Sequence, residues 1–198
     1  MIISRLKYHF NRINGVVFKR FHLHKLINGK NNVVSIEKTV RYSNLRIVIK
    51  GNDNKISIGS HCLFMGYTSI YIEGDGNIVT IGSNLIAQPN LTLVLAEGTR
   101  LNIQNDCLFA RDVKIRTSDQ HGIYSSDNLR INPAKSVEIG KHVWIGAGSI
   151  INKGACIGND SVIGMHSMVT KDIPNNCVAA GIPACIIKKD IHWSRQIQ

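Results

Sequence analysis

One polar stretch of this 198-residue chain holds the residues best suited to chemistry. Between two regular tracts, residues 116–136 read "RTSDQHGIYSSDNLRINPAKS", with one histidine, His121, directly after Asp119 and Gln120. A neutral imidazole titrates close to neutrality, so it can take the proton of a hydroxyl that is otherwise a poor nucleophile. His121 is therefore a candidate general base. Asp119 is placed either to orient that ring or simply to start a turn. Just beyond the stretch stand His142 and Trp144 in "KHVWIGAG", and just before it Arg111 in "FARDV". His142 precedes an inward valine and should point outward, either lining an acceptor site or bonded as an ordinary surface histidine. Arg111 has the forked geometry to hold a carboxylate, such as that of an acidic sugar.

The elements that must position these residues show in the periodicity. From Val137 to Lys171 an aliphatic returns at every sixth place: Ile139, Ile145, Ile151, Ile157, Ile163 and Val169. Gly140, Gly146, Gly158 and Gly164 follow four of them, and Val143, Ser149, Ala155, Ser161 and Ser167 sit four places on. Such spacing fits neither a helix nor a lone strand. It fits a chain that turns a corner every six residues and closes a triangular coil every eighteen, stacking like positions about 4.8 Å apart. Each aliphatic then points inward, and each glycine relieves a crowded corner. The expected fold is all-β, a parallel β-helix.

Earlier coils are longer. "IVIKGNDNKISIGSHCLF", "IYIEGDGNIVTIGSNLIA" and "LVLAEGTRLNIQNDCLFA" align on Ile49, Ile72 and Leu95, 23 residues apart. The excess falls around Gly51, Gly74 and Gly98, in stretches that read as bulging corner turns. One solenoid is thus expected over residues 36–173, broken by the 116–136 loop, and a loop that long inside a regular solenoid is usually functional.

The flanks leave the pattern. Residues 1–35 read as a basic N-terminal cap, helical over 1–27, where Lys, Arg and His interleave with apolar residues. Such a segment either covers the open end of the coil or lies peripherally on anionic lipid. Residues 174–198 read as a loop and tail. A net charge of +11 suits an anionic ligand or surface. The basic residues are dispersed and no recognition motif appears, which argues against nucleic acid. Five cysteines without a CxxC pair, with Cys62, Cys107 and Cys156 at small inward positions, read as free core thiols. No long apolar run or signal peptide is present, so a cytoplasmic protein is expected.

The loop and the run after it together resemble a known family. "TSDQHGI" and "HVWIGAGSIINKGACIGNDSVIGMHSMVTKDIPNNCVAAGIPACII" are similar to the catalytic loop and C-terminal run of the hexapeptide-repeat acyltransferases, over about residues 36–187. The resemblance implies a left-handed coil, a homotrimer with sites between subunits, and acetyl-CoA as co-substrate without a metal. It makes His121 the catalytic base, deprotonating an acceptor hydroxyl during direct attack on the thioester. An oxyanion would meet backbone N–H groups at a coil corner. Trp144 would lie beside the active site against a sugar or pantetheine, with His142, Asp119 and Arg111 as further substrate contacts. Coenzyme contacts map onto Trp144, Ala147, Met165, Thr170, Lys171 and Pro183. Met165 and His166 replace the family's usual small pair. Cys185 stands where Arg or Lys is common, so Lys188, with Lys189, is the candidate replacement cation.

The coil style and "TSDxH" look most like O-acetyltransferases of capsule, lipooligosaccharide and other surface polysaccharides. The implied acceptor is a sugar hydroxyl of a bacterial surface glycan, anionic or sialylated polymers included. N-acetylation of a nucleotide-linked amino sugar is the alternative, although residues 1–35 are too short for a separate nucleotide-binding domain. A zinc site of the γ-class carbonic anhydrase kind would need His121, His142 and His166 together. Their spacings of 21 and 24 put the last two on different faces. A non-enzymatic scaffold would need neither the loop histidine nor Trp144 nor the coenzyme-like tail.

Overall fold

An aliphatic at every sixth place can be buried only if the chain bends after each one, and the computed structural model shows that path. It describes residues 22–196. The first coil comprises β1 (His22–Asn28), β2 (Val33–Ile36) and the start of β3 (Arg41–Lys50). The rest of β3, β4 (Lys55–Ile58) and the start of β5 (Leu63–Glu73) form the second. The third has the rest of β5, β6 (Ile78–Ile81) and β7 (Ile86–Ala87), and the fourth β8 (Leu91–Ala96), β9 (Arg100–Ile103) and β10 (Leu108–Phe109). The fifth has β11 (Lys114–Arg116), the loop, β12 (Val137–Ile139) and β13 (Trp144–Ile145). The sixth has β14 (Ile150–Ile151), β15 (Cys156–Ile157) and β16 (Val162–Ile163). The last contains β17 (Met168–Val169), a bridge from Ile173 to Ile157, and β18 (Val178–Gly181), onto which β19 (Ala184–Lys188) folds back antiparallel.

Stacking the coils generates three parallel sides. The first runs through β3, β5, β8, β11, β14 and β17, the second from β2 to β15, and the third from the start of β3 to β18. The register keeps like residues in columns: Ile49 on Ile72 on Leu95, and Ile145 on Ile163. All six hexad aliphatics are buried, as are Phe64 and Phe109 inside the triangle. Burying each such side chain contributes about 1.5–3 kcal/mol before the cost of ordering.

Two kinds of corner position have different causes. A Cβ on Gly140, Gly146 or Gly158 would come within 2.5 Å of the next coil, so close stacking demands those glycines. At the corner between second and third sides the left-handed backbone falls on His61, Asn84, Asp106, His142, Asp160 and Asn176, with φ from 55° to 64°, one in each coil from the second to the last. Asn, Asp and His tolerate that region better than most residues. His142 is one of this column.

The ends differ from expectation. His22–Asn28 is a strand, not part of a helix, and pairs in parallel with Asn44–Lys50 residue for residue. Cross-coil pairing overrides its mixed local spacing, so the solenoid begins before residue 36. Among the described residues there is no helix. Residues 1–21, and with them most of the basic segment read as lipid-binding, lie outside the described residues. The C-terminal segment read as loop and tail contains the β18–β19 hairpin. Cys62 and Cys107 are buried as expected, but Cys156 is exposed, because Ala155 takes the inward place; Cys177 is the third buried thiol.

Candidate active site

The loop replaces the corner between the first and second sides of the fifth coil, and its sequence builds a braced hairpin. Thr117 and Ser118 are buried at its root. Ser118 Oγ donates to Glu97 Oε1 of the coil before (2.6 Å) and accepts from the Gln120 N–H (2.9 Å). The Ile131 N–H donates to Ile123 O and the Ser125 N–H to Leu129 O, closing two antiparallel arms. Arg130 forks onto Glu97, Nη1 to Oε2 at 2.6 Å and Nη2 to Oε1 at 2.9 Å. This guanidinium, with the Ser118 hydroxyl, holds the Glu97 carboxyl down at about 2.

Asn132 knits the base of the hairpin. It is only 9% exposed; its amide N–H groups donate to Asp119 Oδ2 and to His121 O, both at 2.8 Å, while its Oδ1 accepts the Ile123 N–H at 2.6 Å. From the next coil Lys153 Nζ donates to Asp119 Oδ2 (2.5 Å) and to Asn132 O (3.0 Å). Lys153 first, then Asn132, keeps the Asp119 carboxyl below its ordinary range. Asp119 thus reaches His121 through Asn132 and the backbone, not through the imidazole. The His121 side chain is exposed and makes no hydrogen bond among the described residues. The arrangement fixes the backbone that carries the ring and leaves the side chain exposed.

Other expected residues lie elsewhere on the triangle. His142, at the corner between second and third sides, accepts or donates through Nδ1 to Asp160 Oδ1 at 2.9 Å and stacks on Trp193, centroids 4.1 Å apart and planes 6° apart. It is a bonded corner histidine. Trp144 faces outward on the third side, 40% exposed, 5.9 Å from Trp193. Arg111 O accepts the Gly148 N–H and Ala147 O the His166 N–H, which puts Arg111, Ala147 and Met165 in one column at the corner between third and first sides. Arg111 therefore shares a corner with expected coenzyme contacts rather than with the loop. Thr170 and Lys171 follow β17, Pro183 forms the turn of the β18–β19 hairpin, and Lys188 ends β19. His121, His142 and His166 occupy three different corners.

Sequence reasoning missed Asn132, Lys153, Glu97, Arg130 and Trp193. Their main contacts join residues 9 to 51 positions apart, with no local pattern to mark them. The one available signal was a tryptophan in an otherwise polar tail.

The fold and loop define a hexapeptide-repeat protein with its free histidine at one interrupted corner. A model of bacterial transferase hexapeptide repeats (six repeats) matches residues 136–171. A polysialic acid O-acetyltransferase of Neisseria meningitidis is 33% identical over 190 residues, covering 85% of this chain and 88% of its own length. Another, from Escherichia coli O1:K1, is 38% identical over 130 residues, 63% of this chain and 42% of its own. The solved polysialic acid O-acetyltransferase OatWY has a TM-score of 0.69 at 30% identity and covers 91% of this chain and 93% of that one. The chain spans about half the length of several curated relatives that it matches. It belongs to the hexapeptide-repeat acyltransferase family, and its coil is the left-handed β-helix of those enzymes.

Proposed function

We propose that this chain transfers the acetyl group of acetyl-CoA to a sugar hydroxyl of an anionic bacterial surface glycan. The observation that carries the reading is His121: its backbone is clamped by Asn132 while its imidazole stays exposed and unbonded. In this reading the neutral ring takes the hydroxyl proton as the sugar oxygen attacks the thioester carbonyl. The C–S bond then breaks, and the imidazolium returns the proton to the departing thiolate. A base of this kind contributes about 10²–10⁴-fold. Relatives named for polysialic acid O-acetylation support a sialylated acceptor, and the net charge of +11 is complementary to it.

A second copy of the chain completes the site in this reading. His121 and Trp144 sit on different sides of one coil, so a neighbour's Trp144 face is what the loop would meet. The hairpin also presents Ile123, Tyr124, Leu129 and Ile131 at 54–67% exposure, the type of surface that a neighbouring subunit covers. A homotrimer closes that arrangement with three equal sites. The coenzyme runs along Ala147, Met165, Thr170, Lys171 and Pro183, with Lys188 near its phosphates. The enzyme works in the cytoplasm, peripherally at the inner membrane face through the basic segment 1–27.

The test is thiol release from acetyl-CoA in the presence of sialylated, uronic-acid and neutral glycans, for the wild type and His121→Ala. Glycan-dependent release that drops at least about 10²-fold in the variant is the expected result. Release only with amino-sugar nucleotides would replace the reading with N-acetylation. Undiminished release by the variant would remove His121 from the mechanism.

A further inference from the structure

The left-handed corner leaves a column of outward carbonyls. In the coil-to-coil ladder the corner residues donate their N–H groups downward, as His142 does to Asn105 O and Asn176 to Asn159 O. Four of their own carbonyls, those of Asn84, Asp106, His142 and Asn176, are reached instead by the C-terminal tail. The Ile191 N–H donates to Asn176 O (3.0 Å), Trp193 Nε1–H to His142 O (2.7 Å), and Arg195 Nη2 to Asp106 O (2.8 Å) and Asn84 O (3.0 Å). Residues 191–195 therefore run down one edge of the solenoid from the last coil to the third. The corner supplies acceptors at coil spacing, and the tail supplies donors at matching positions.

Trp193 is the centre of this strap. At 9% exposure it fills the angle between His142, stacked on its face, and Trp144, tilted against it. Asp160 holds the far side of the His142 ring. An open recess of about 440 Å³, lined by Asp106, Lys141, His142, Asp160 and Arg195, lies beside the stack. Charged walls beside the His142–Trp193 stack suit a sugar bearing hydroxyls and a carboxylate better than an apolar ligand.

We infer that the tail is part of the acceptor site, with Trp193 the positioning residue that sets the angle of Trp144 and so the fit of the sugar. The acceptor role rests on the acyltransferase reading above; the positioning of Trp144 does not. Trp144 and Trp193 are the two tryptophans of the chain, so Trp193→Phe and Trp193→Ala each leave Trp144 as sole emitter. The phenylalanine keeps a ring against His142 and Trp144; the alanine removes it.

The full-length protein and both variants are compared by acrylamide quenching of Trp144 and by steady-state kinetics with acetyl-CoA and a sialylated glycan. In Trp193→Ala, Trp144 should be quenched more readily than in Trp193→Phe. The acceptor KM should rise about 3- to 10-fold, the loss of one aromatic contact. Trp193→Phe should recover most of that KM. Equal quenching in the two variants, with wild-type acceptor KM and only a lower melting temperature, would overturn the inference and make the strap a brace for the coils. If the wild type acetylates no glycan, the acyltransferase reading fails, and the quenching comparison still decides whether Trp193 sets Trp144.

Discussion

Asn132→Ala should separate the position of His121 from its chemistry. The substitution removes four hydrogen bonds: to His121 O, to Asp119 Oδ2, from the Ile123 N–H and a longer one from Arg130 Nε (3.4 Å). Asp119 keeps Lys153, so no carboxylate is left unpaired. Each bond is worth about 1 kcal/mol net, and water can reach the freed groups of a surface loop, so the local loss is about 1–3 kcal/mol. That loss falls on loop opening rather than on unfolding of the coils, because all four bonds lie within the loop. Amide exchange at Ile123 should therefore accelerate about 10- to 100-fold, with a melting temperature lowered by no more than about 4 °C. The kcat for glycan acetylation should fall by up to about 10²-fold, the cost of a base displaced by about an ångström. The acetyl-CoA KM should hold, since no expected coenzyme contact touches Asn132. Hydrogen exchange by mass spectrometry and thiol release measure both on the same sample. Faster exchange with wild-type kcat would refute the claim that the backbone grip positions His121. Unchanged exchange would refute the hydrogen-bond accounting itself.

Acid should release the loop before it unfolds the coils. Glu97 titrates near 2 in the folded chain against an ordinary value of 4.5, and Asp119 is lowered as well. Lowered carboxyls stabilise the loop above their unfolded values, and that contribution is lost as pH falls from about 4.5 towards 2. Exchange at Ile131, normalised to Ile139, should rise across that window, and Glu97→Gln should flatten the rise; a flat profile in the wild type would contradict the clamp. The thiols should divide by burial: desolvation pushes Cys62 and Cys107 up to about 11, and Cys177 is buried, whereas Cys156 and Cys185 are exposed. A thiol reagent at pH 7.5 should label those two in the folded protein and all five after denaturation, and rapid native labelling of Cys107 would show that the core opens.

The readable parts of the sequence are those that repeat. Ile139 to Val169 mark inward positions because every coil imposes the same demand, and the 23-residue coils stay in register because their extra residues bulge at one corner. Trp144 and the loop were legible because they interrupt that rhythm. The loop's internal order was not. Asn132 meets His121 across 11 residues and Lys153 meets Asp119 across 34, and nothing in composition links such pairs. At the N-terminal end, β1 pairs with one neighbouring coil among the described residues, so its alternation is weak and the local spacing resembles a helix. Polar corner residues leave two readings open for a different reason. His142 reads either as an acceptor contact beside Trp144 or as a bonded surface histidine, and its φ of 55° places it in a column otherwise held by His, Asn and Asp.

The two regions proposed to carry function stand where the ladder stops satisfying the chain. At the first corner, the excursion after Arg116 takes the backbone away from its coil neighbours, and charges borrowed from adjacent coils (Glu97 from before, Lys153 from after) tie it back. At the second corner, left-handed residues turn carbonyls outward, and the tail answers them with Trp193 and Arg195. A repeat stacked without interruption has no residue free to differ from its neighbours above and below. The loop and the strap escape that constraint while remaining anchored to a stiff column, which is the combination that an acyl-transfer site requires: a histidine free to exchange protons, on a backbone that does not move.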